Sequence, residues 1–189
     1  MYIPSHFDEF PYNSSIINKC NTCIKNLTPI FLHGPNGSGK KSFCKLLLSD
    51  FDIFYISSND MISSKNINSI LDNIVSQNNI TIMINKSFFN KAIIVYDLDM
   101  VCKDKRIINL FINFIKLKHI PIIFISHNNY PKVLNSLIKV CSSISFKSPN
   151  NKFILKLINN HNIPKLLTNS IINVSNFNLS KLFNIIRDI

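Results

Sequence analysis

Short, almost wholly apolar runs alternate along this chain with stretches whose apolar residues recur at helical spacing. The runs occupy 29–33, 51–56, 91–96, 120–126 and 142–146. Apolar nearly throughout in 29–33, 91–96 and 120–126, and with polar residues in 51–56 (Asp52) and 142–146 (three serines), they predict the strands of a parallel sheet covered on both faces. The helical stretches lie at 42–48, 66–75 and 105–118, with a short one starting at Pro131. Alternation of the two kinds indicates an α/β fold, a sheet with helices packed on each side. Beyond Ser148-Pro149-Asn150-Asn151 the pattern changes to three amphipathic segments, 153–161, 164–172 and 179–189. The chain is therefore expected to divide into an α/β domain over 1–148 and a small helical lid over 149–189.

The connection after the first strand carries the clearest chemistry. All three glycines of the 189 residues fall within Gly34-Pro35-Asn36-Gly37-Ser38-Gly39, followed at once by Lys40-Lys41-Ser42. A chain of this length would average roughly a dozen glycines, so the backbone here must need what no other residue supplies. Glycines let successive N–H groups turn inward around an anion, the next helix presents its positive end, and Lys40 adds a charge for the β- and γ-phosphates. A glycine-rich stretch alone would be only a turn. Lying between a strand and a helix, this one is expected to bind a nucleotide, ATP or ADP. One position departs from the usual pattern, since Lys41 stands where a Mg²⁺-binding Ser or Thr belongs and Ser42 comes one residue late.

Composition adds two constraints. The net charge is +11, from 21 basic and 10 acidic residues spread along the chain, which favours a folded domain facing a polyanion such as DNA. Nineteen of the basic residues are lysine, and the chain is rich in Ile, Asn and Phe, so AT-rich codon usage is the competing explanation. The five cysteines are scattered, and Cys20-x-x-Cys23 has no second pair at zinc spacing, so free thiols on one helical face are expected. No apolar run reaches the ~18 residues of a membrane span. A soluble, intracellular protein with no membrane partner is the expectation.

The order of motifs resembles the clamp-loader branch of the AAA+ ATPases, replication factor C and its relatives. Tyr2-Ile3-Pro4-Ser5-His6-Phe7-Asp8-Glu9-Phe10 is similar to the family's amino-terminal segment, which lies beside the adenine. The Gly34 to Ser42 loop, Ser57-Ser58-Asn59-Asp60, the acidic box ending in Asp97-Leu98-Asp99, the strand ending at Ser126, and Phe146-Lys147-Ser148-Pro149 follow in the family's order. The resemblance implies a P-loop NTPase of the AAA+ type, a three-layer parallel-sheet core followed by the lid. It implies a cofactor site of Gly34, Pro35, Asn36, Gly37, Ser38, Gly39, Lys40, Lys41 and Ser42 with Tyr2 and Pro4, catalytic Asp97 and Asp99, and Mg²⁺ on Ser42 and Asp97. Helices facing a central duplex would place Lys65, Lys103, Lys105 and Arg106 against DNA phosphates, independent of sequence. Other clamp-loader-like subunits and a sliding clamp would be partners, at a site of DNA replication, nuclear in a eukaryote.

The departures from the family point the other way on catalysis. In the register set by Asp99, Tyr96 replaces the aspartate that steers Mg²⁺ and Asp97 the glutamate that orients water. Shifting the register makes Asp97 the metal residue but puts Leu98 at the glutamate, so one acidic function is missing either way. The sensor-1 asparagine corresponds to Ser126 or His127, the arginine finger to Lys139-Val140-Cys141, and the lid arginine to Ser180. Phosphoryl transfer relies on such groups, and an arginine finger alone is worth ~10³–10⁵ in rate. ATP binding with weak or no hydrolysis is expected. The family's helical collar has no counterpart in these residues, which fits a reduced paralogue, a piece of a longer polypeptide, or a subunit held by other contacts. An active P-loop NTPase or kinase, or an adaptor that kept the fold and lost the nucleotide, are the other readings, and Asp97 and Asp99 would then merely cap a strand end.

Overall fold

The computed structural model describes residues 6–12, 14–85, 90–101, 104–117, 120–127, 130–160 and 165–188. Five strands, β1 (Ile30–His33), β2 (Phe51–Ile56), β3 (Asn90–Val95), β4 (Ile122–Ser126) and β5 (Ser142–Ser145), form one sheet in the order β2-β3-β4-β1-β5. Every pairing is parallel, so each crossover runs outside the sheet through a helix. This is the α/β sheet covered on both faces that the strand–helix alternation predicts, in the three-layer form that the resemblance implies.

Period-two alternation divides the core. Phe31, Ile93, Val95, Ile122 and Phe124 point to one face, where they meet α3 (Ser64–Asn85), α5 (Lys105–Lys116) and α6 (Asn135–Ile138). Ile30, Leu32, Ala92, Ile94, Ile123 and Ile125 point to the other, against α1 (Ser14–Lys25) and α2 (Lys40–Leu47). Phe31, Phe43, Phe111 and Phe124 are fully buried, each contributing about 1.5–3 kcal/mol of hydrophobic stabilisation. Cys20, Cys23 and Cys44 are free thiols in the second cluster, and burial pushes the Cys20 thiol up to about 12.

Several element ends differ from the sequence reading, and three differences have a plain physical reason. α3 runs ten residues past Val75, because Ser76-Gln77-Asn78-Asn79 contains no glycine or proline to stop backbone hydrogen bonding. β4 starts at Ile122 rather than Ile120, since Pro121 has no N–H, although its carbonyl still accepts Ile93 N at 2.9 Å. A four-residue helix, α4 (Leu98–Val101), follows β3 in a stretch that the hydrophobic pattern assigns to no element.

The carboxy-terminal helices α7 (Asn151–Asn160), α8 (Lys165–Ser175) and α9 (Leu179–Asp188) build a hydrophobic cluster of their own from Ile154, Leu157, Ile158, Ile171, Leu182 and Phe183. Among the described residues, no helix is long and apolar enough to cross a membrane.

Candidate functional site

The loop from Gly34 to Gly39 leaves β1 at its carboxyl end, beside the point where the strand order reverses, the usual place for a ligand in an open α/β sheet. Gly37 (φ 72°) and Gly39 (φ 85°) take left-handed backbone. Gly34 is needed for space instead, since a Cβ there would stand 2.5 Å from the Phe146 carbonyl oxygen. Gly39 then opens α2, its carbonyl accepting Phe43 N at 2.8 Å. Ser38 is turned inward, its hydroxyl donating to Pro35 O at 2.8 Å.

Lys40 is 7 % exposed, and its Nζ donates to Gly34 O at 2.7 Å, Pro35 O at 2.8 Å and Ser38 Oγ at 3.4 Å. Burial lowers its pKa below the ordinary lysine value, opposed chiefly by the negative charge of Asp99, then by Cys44 and Asp97. The ammonium is thus desolvated beside the loop, its three hydrogens held by the loop's own oxygens, and an arriving phosphate takes the place of one of them.

A cavity of about 360 Å³ opens beside it. Asn36 to Ser42 line it from the loop and α2, Asp97 and Asp99 from beyond β3, Ser126 and His127 from the end of β4, and Ser180 from α9. The structure therefore brings together the phosphate loop, both aspartates and the positions corresponding to sensors 1 and 2. Three lysines, Lys40, Lys41 and Lys45, face two aspartates across it, a balance that favours an anionic ligand. Ser42 and Asp97, the expected metal pair, both line the cavity.

The two aspartates differ in surroundings. Asp99 is 9 % exposed at its side chain, accepts Ser126 Oγ at 3.2 Å and His127 N at 3.4 Å, and lies 3.6 Å from His127 Nε2. It ties the end of β4 to the start of α4. Asp97 is exposed and sits in left-handed backbone, φ 56°, a conformation Asp tolerates better than most residues.

Three contributors escaped the sequence reading. Tyr12 donates its phenol hydrogen to Ser38 O and packs on Phe10, Phe43 and Phe146, bracing the loop from behind. Burial raises its pKa well above the usual phenol range. Asn178 caps α9, its Oδ1 accepting Lys181 N at 3.1 Å, and its amide lies where a Gly37 side chain would be. Next to it, Leu179 N donates to Gly37 O at 2.8 Å, so the last helix is hydrogen-bonded directly to the loop. An asparagine ahead of an amphipathic run is a legible cap signal, but its seat on Gly37 is not. Lys41 lies with its Nζ 3.6 Å from the centre of the Tyr96 ring. Tyr2 and Pro4, expected beside the adenine, lie outside the described residues.

The basic residues expected at DNA do not form one cluster. Lys65 and Arg106 share a shallow groove between α3 and α5 with Asn68, Asn109 and Asn113. Lys65 is placed there by the turn after β2, where the Asp60 carboxylate accepts Ser57 N and Oγ, both at 2.7 Å, and its carbonyl accepts Asn66 Nδ2 at 2.8 Å. The Ser57 hydroxyl holds the Asp60 carboxyl below its usual range. Arg106 is paired with Asp104, the α5 cap, at 3.0 Å. Lys105 opens onto a different depression, beside Lys132 and Ser136. Lys103 lies outside the described residues.

Residues 30–149, more than half of the chain, match the family described as "ATPase family associated with various cellular activities (AAA)". Among solved structures, the chain is similar to AMPPCP-bound DnaA from Aquifex aeolicus, with a TM-score of 0.62 and 15 % identity over 92 % of this chain and 58 % of that one. It is also similar to PCH-2 from C. elegans, with a TM-score of 0.60 and 14 % identity over 82 % of this chain and 48 % of that one. This chain is thus well short of two thirds of either relative's length. No curated protein matches the sequence.

Proposed function

This chain belongs to the AAA family of ATPases, and on that premise we propose that it is a clamp-loader-like, ATP-binding subunit acting in DNA replication with weak or no hydrolysis. The supporting observation is the convergence of the Gly34 to Ser42 loop, Asp97 and Asp99, Ser126 and His127, and Ser180 on one cavity. DnaA, whose fold this chain shares, is known bound to the nucleotide analogue AMPPCP. The replication assignment itself rests on the ordered motifs of the clamp-loader branch, from Phe7-Asp8-Glu9 to Phe146-Lys147-Ser148-Pro149.

In this reading each residue has a role in binding. Amides of Gly37 to Lys41 and the Lys40 ammonium hold the phosphates, while Asn178 and Leu179 on Gly37 make the lid helix sensitive to what the loop contains. Asp99 positions Ser126 and His127 at the end of β4. In the family Mg²⁺ supplies charge neutralisation on the β- and γ-phosphates. Chemistry beyond binding is poorly served, because Ser180 brings a hydroxyl rather than a guanidinium and Lys139 is a single exposed ammonium in the turn after α6.

Turnover is therefore expected far below the ~10 s⁻¹ median of enzymes, with no stimulation by primed DNA. Phosphate release measured under single-turnover conditions checks this, and a rate near that median would contradict it. The double variant Tyr96→Asp/Asp97→Glu should raise hydrolysis only slightly, since the lid and finger cations are still absent.

Duplex binding should be indifferent to sequence and weaken steeply with salt. Lys65→Ala with Arg106→Ala is expected to flatten the log–log salt slope by about 0.9 for each phosphate that is no longer neutralised. Arg106 is already neutralised in part by Asp104, so Lys65 should account for the larger share. An unchanged slope would leave both as ordinary solvated surface.

A further inference from the structure

Mg²⁺ in a P-loop site is held by the Ser or Thr that follows the loop lysine and by an acid near the end of the third strand. This chain does not offer that pair. Lys41 stands at the hydroxyl position and Tyr96 at the acidic one in the register set by Asp99. The two replacements are in contact, with Lys41 Nζ 3.6 Å from the Tyr96 ring centre. An ammonium has three donors and no lone pair, so it cannot ligate a metal that demands octahedral oxygen at about 2.0–2.1 Å.

Other oxygens do not restore the site. Asp99 is committed to Ser126 and His127. Asp97 borders the cavity from left-handed backbone, exposed to solvent, and like Asp99 acts electrostatically on Lys40. Ser42 borders it too, but one residue further along α2 and about 100° around the helix from the position where the loop motif carries its hydroxyl, which Lys41 occupies.

The aromatic seat is extended by a second pair. Tyr96 packs edge-on to Tyr55 with ring centres 6.4 Å apart, and Lys45 Nζ lies 5.7 Å over Tyr55. Lys41 and Lys45 are four residues apart on one helical face, where like charges repel. Two tyrosine faces at the ends of β2 and β3 offset that repulsion by cation–π attraction, and both lysines still border the cavity.

We propose that this nucleotide site is independent of divalent metal, with the Lys41 ammonium, seated on Tyr96, taking the place of the cation against the β- and γ-phosphate oxygens of a nucleoside di- or triphosphate. The inference rests on the nucleotide-binding reading above. It replaces a mobile divalent ion by a tethered monovalent one. Phosphate charge is neutralised enough for binding, and nucleotide can enter without its metal.

The test is calorimetric titration of the full chain with ADP, once in millimolar MgCl₂ and once in EDTA. Wild type is expected to bind equally in both, within about twofold. Lys41→Ser should lose about tenfold in EDTA, the size of one charge-assisted hydrogen bond. Because Lys41 is exposed, these variants should keep the fold, which thermal unfolding verifies. Lys41→Arg, which keeps the charge and can stack on Tyr96, should retain metal-free binding. Lys41→Ser/Tyr96→Asp should become metal-dependent, binding more tightly in MgCl₂ than in EDTA. Wild-type affinity rising tenfold or more with Mg²⁺, or Lys41→Ser binding in EDTA as wild type does, would overturn the proposal while leaving nucleotide binding intact. No ADP binding in either buffer would overturn both.

Discussion

Replacing Lys40 with alanine is expected to weaken ATP or ADP binding by at least about tenfold, and by up to roughly a hundredfold, the worth of a charged hydrogen bond to phosphate at a site already stripped of water. The ammonium is 7 % exposed and held between the carbonyls of Gly34 and Pro35. The side chain is already ordered against the loop, so little rotamer entropy remains to be lost when one of these bonds is exchanged for a phosphate oxygen. Lys40→Arg should rescue poorly, because a planar guanidinium is too wide for a cradle built around a point charge. The same burial gives a pH signature. With its pKa lowered by desolvation, Lys40 loses its proton earlier on an alkaline titration than an ordinary lysine, so nucleotide affinity should fall at lower pH than in a site with an unshifted lysine. The sign for stability is opposite. A lysine whose folded pKa lies below its unfolded value penalises folding while charged, and that penalty is relieved as pH rises through the folded pKa. Nucleotide titrations of wild type and variant across the alkaline range check both parts, and equal affinity in the two proteins would remove the lysine from the site.

Gly34→Ala is expected to be the more damaging change to the fold. The new Cβ would meet Phe146 O at 2.5 Å and Phe146 Cβ at 2.8 Å. Neither can yield easily. Phe146 N donates to His33 O at 2.7 Å at the end of the sheet, and the Phe146 ring is buried against Tyr12 and Phe43. Overpacking of this kind costs about 1–3 kcal/mol, a fall in melting temperature of roughly 2–12 °C for a chain of this size. Affinity for nucleotide should fall as well, because Gly34 O is a hydrogen-bond partner of Lys40. Gly37→Ala is a useful comparison. Its Cβ would strike first the Asn178 side chain, which can swing away at the expense of its cap on Lys181 N, and the left-handed backbone adds about 1–2 kcal/mol. Gly37→Ala should therefore loosen α9 from the loop more than it unfolds the sheet. Melting curves for the two variants separate these effects, and an unaltered melting temperature for Gly34→Ala would show that the β5 exit gives way freely.

Much of the architecture was legible because its causes are local. Strand residues such as Ile93-Ile94-Val95 are apolar on both faces, and that alone requires cover on both sides of a sheet. Proline and glycine marked where elements end, although Pro121 cut β4 shorter than its apolar run suggested. The phosphate loop was legible for the same reason, since Gly37 and Gly39 answer a demand of their own φ angles. α4 was missed because four residues carry no periodicity. The extent of α3 was missed because polar residues weaken an apolar stripe without breaking backbone hydrogen bonds.

By itself, the sequence determined most of the strands and helices, where the anion loop lies, and which positions depart from the motifs it resembles. Those properties depend on a residue and its near neighbours in the chain. Only the tertiary structure decided that Gly34 is required by Phe146, that Asn178 sits on Gly37, and that Lys41 rests on Tyr96. Each of these joins residues brought together by the order β2-β3-β4-β1-β5 or by the return of α9 to the loop. Hydrophobic periodicity specifies that a strand is buried but not which strand lies beside it, so such contacts become visible only when the sheet is assembled.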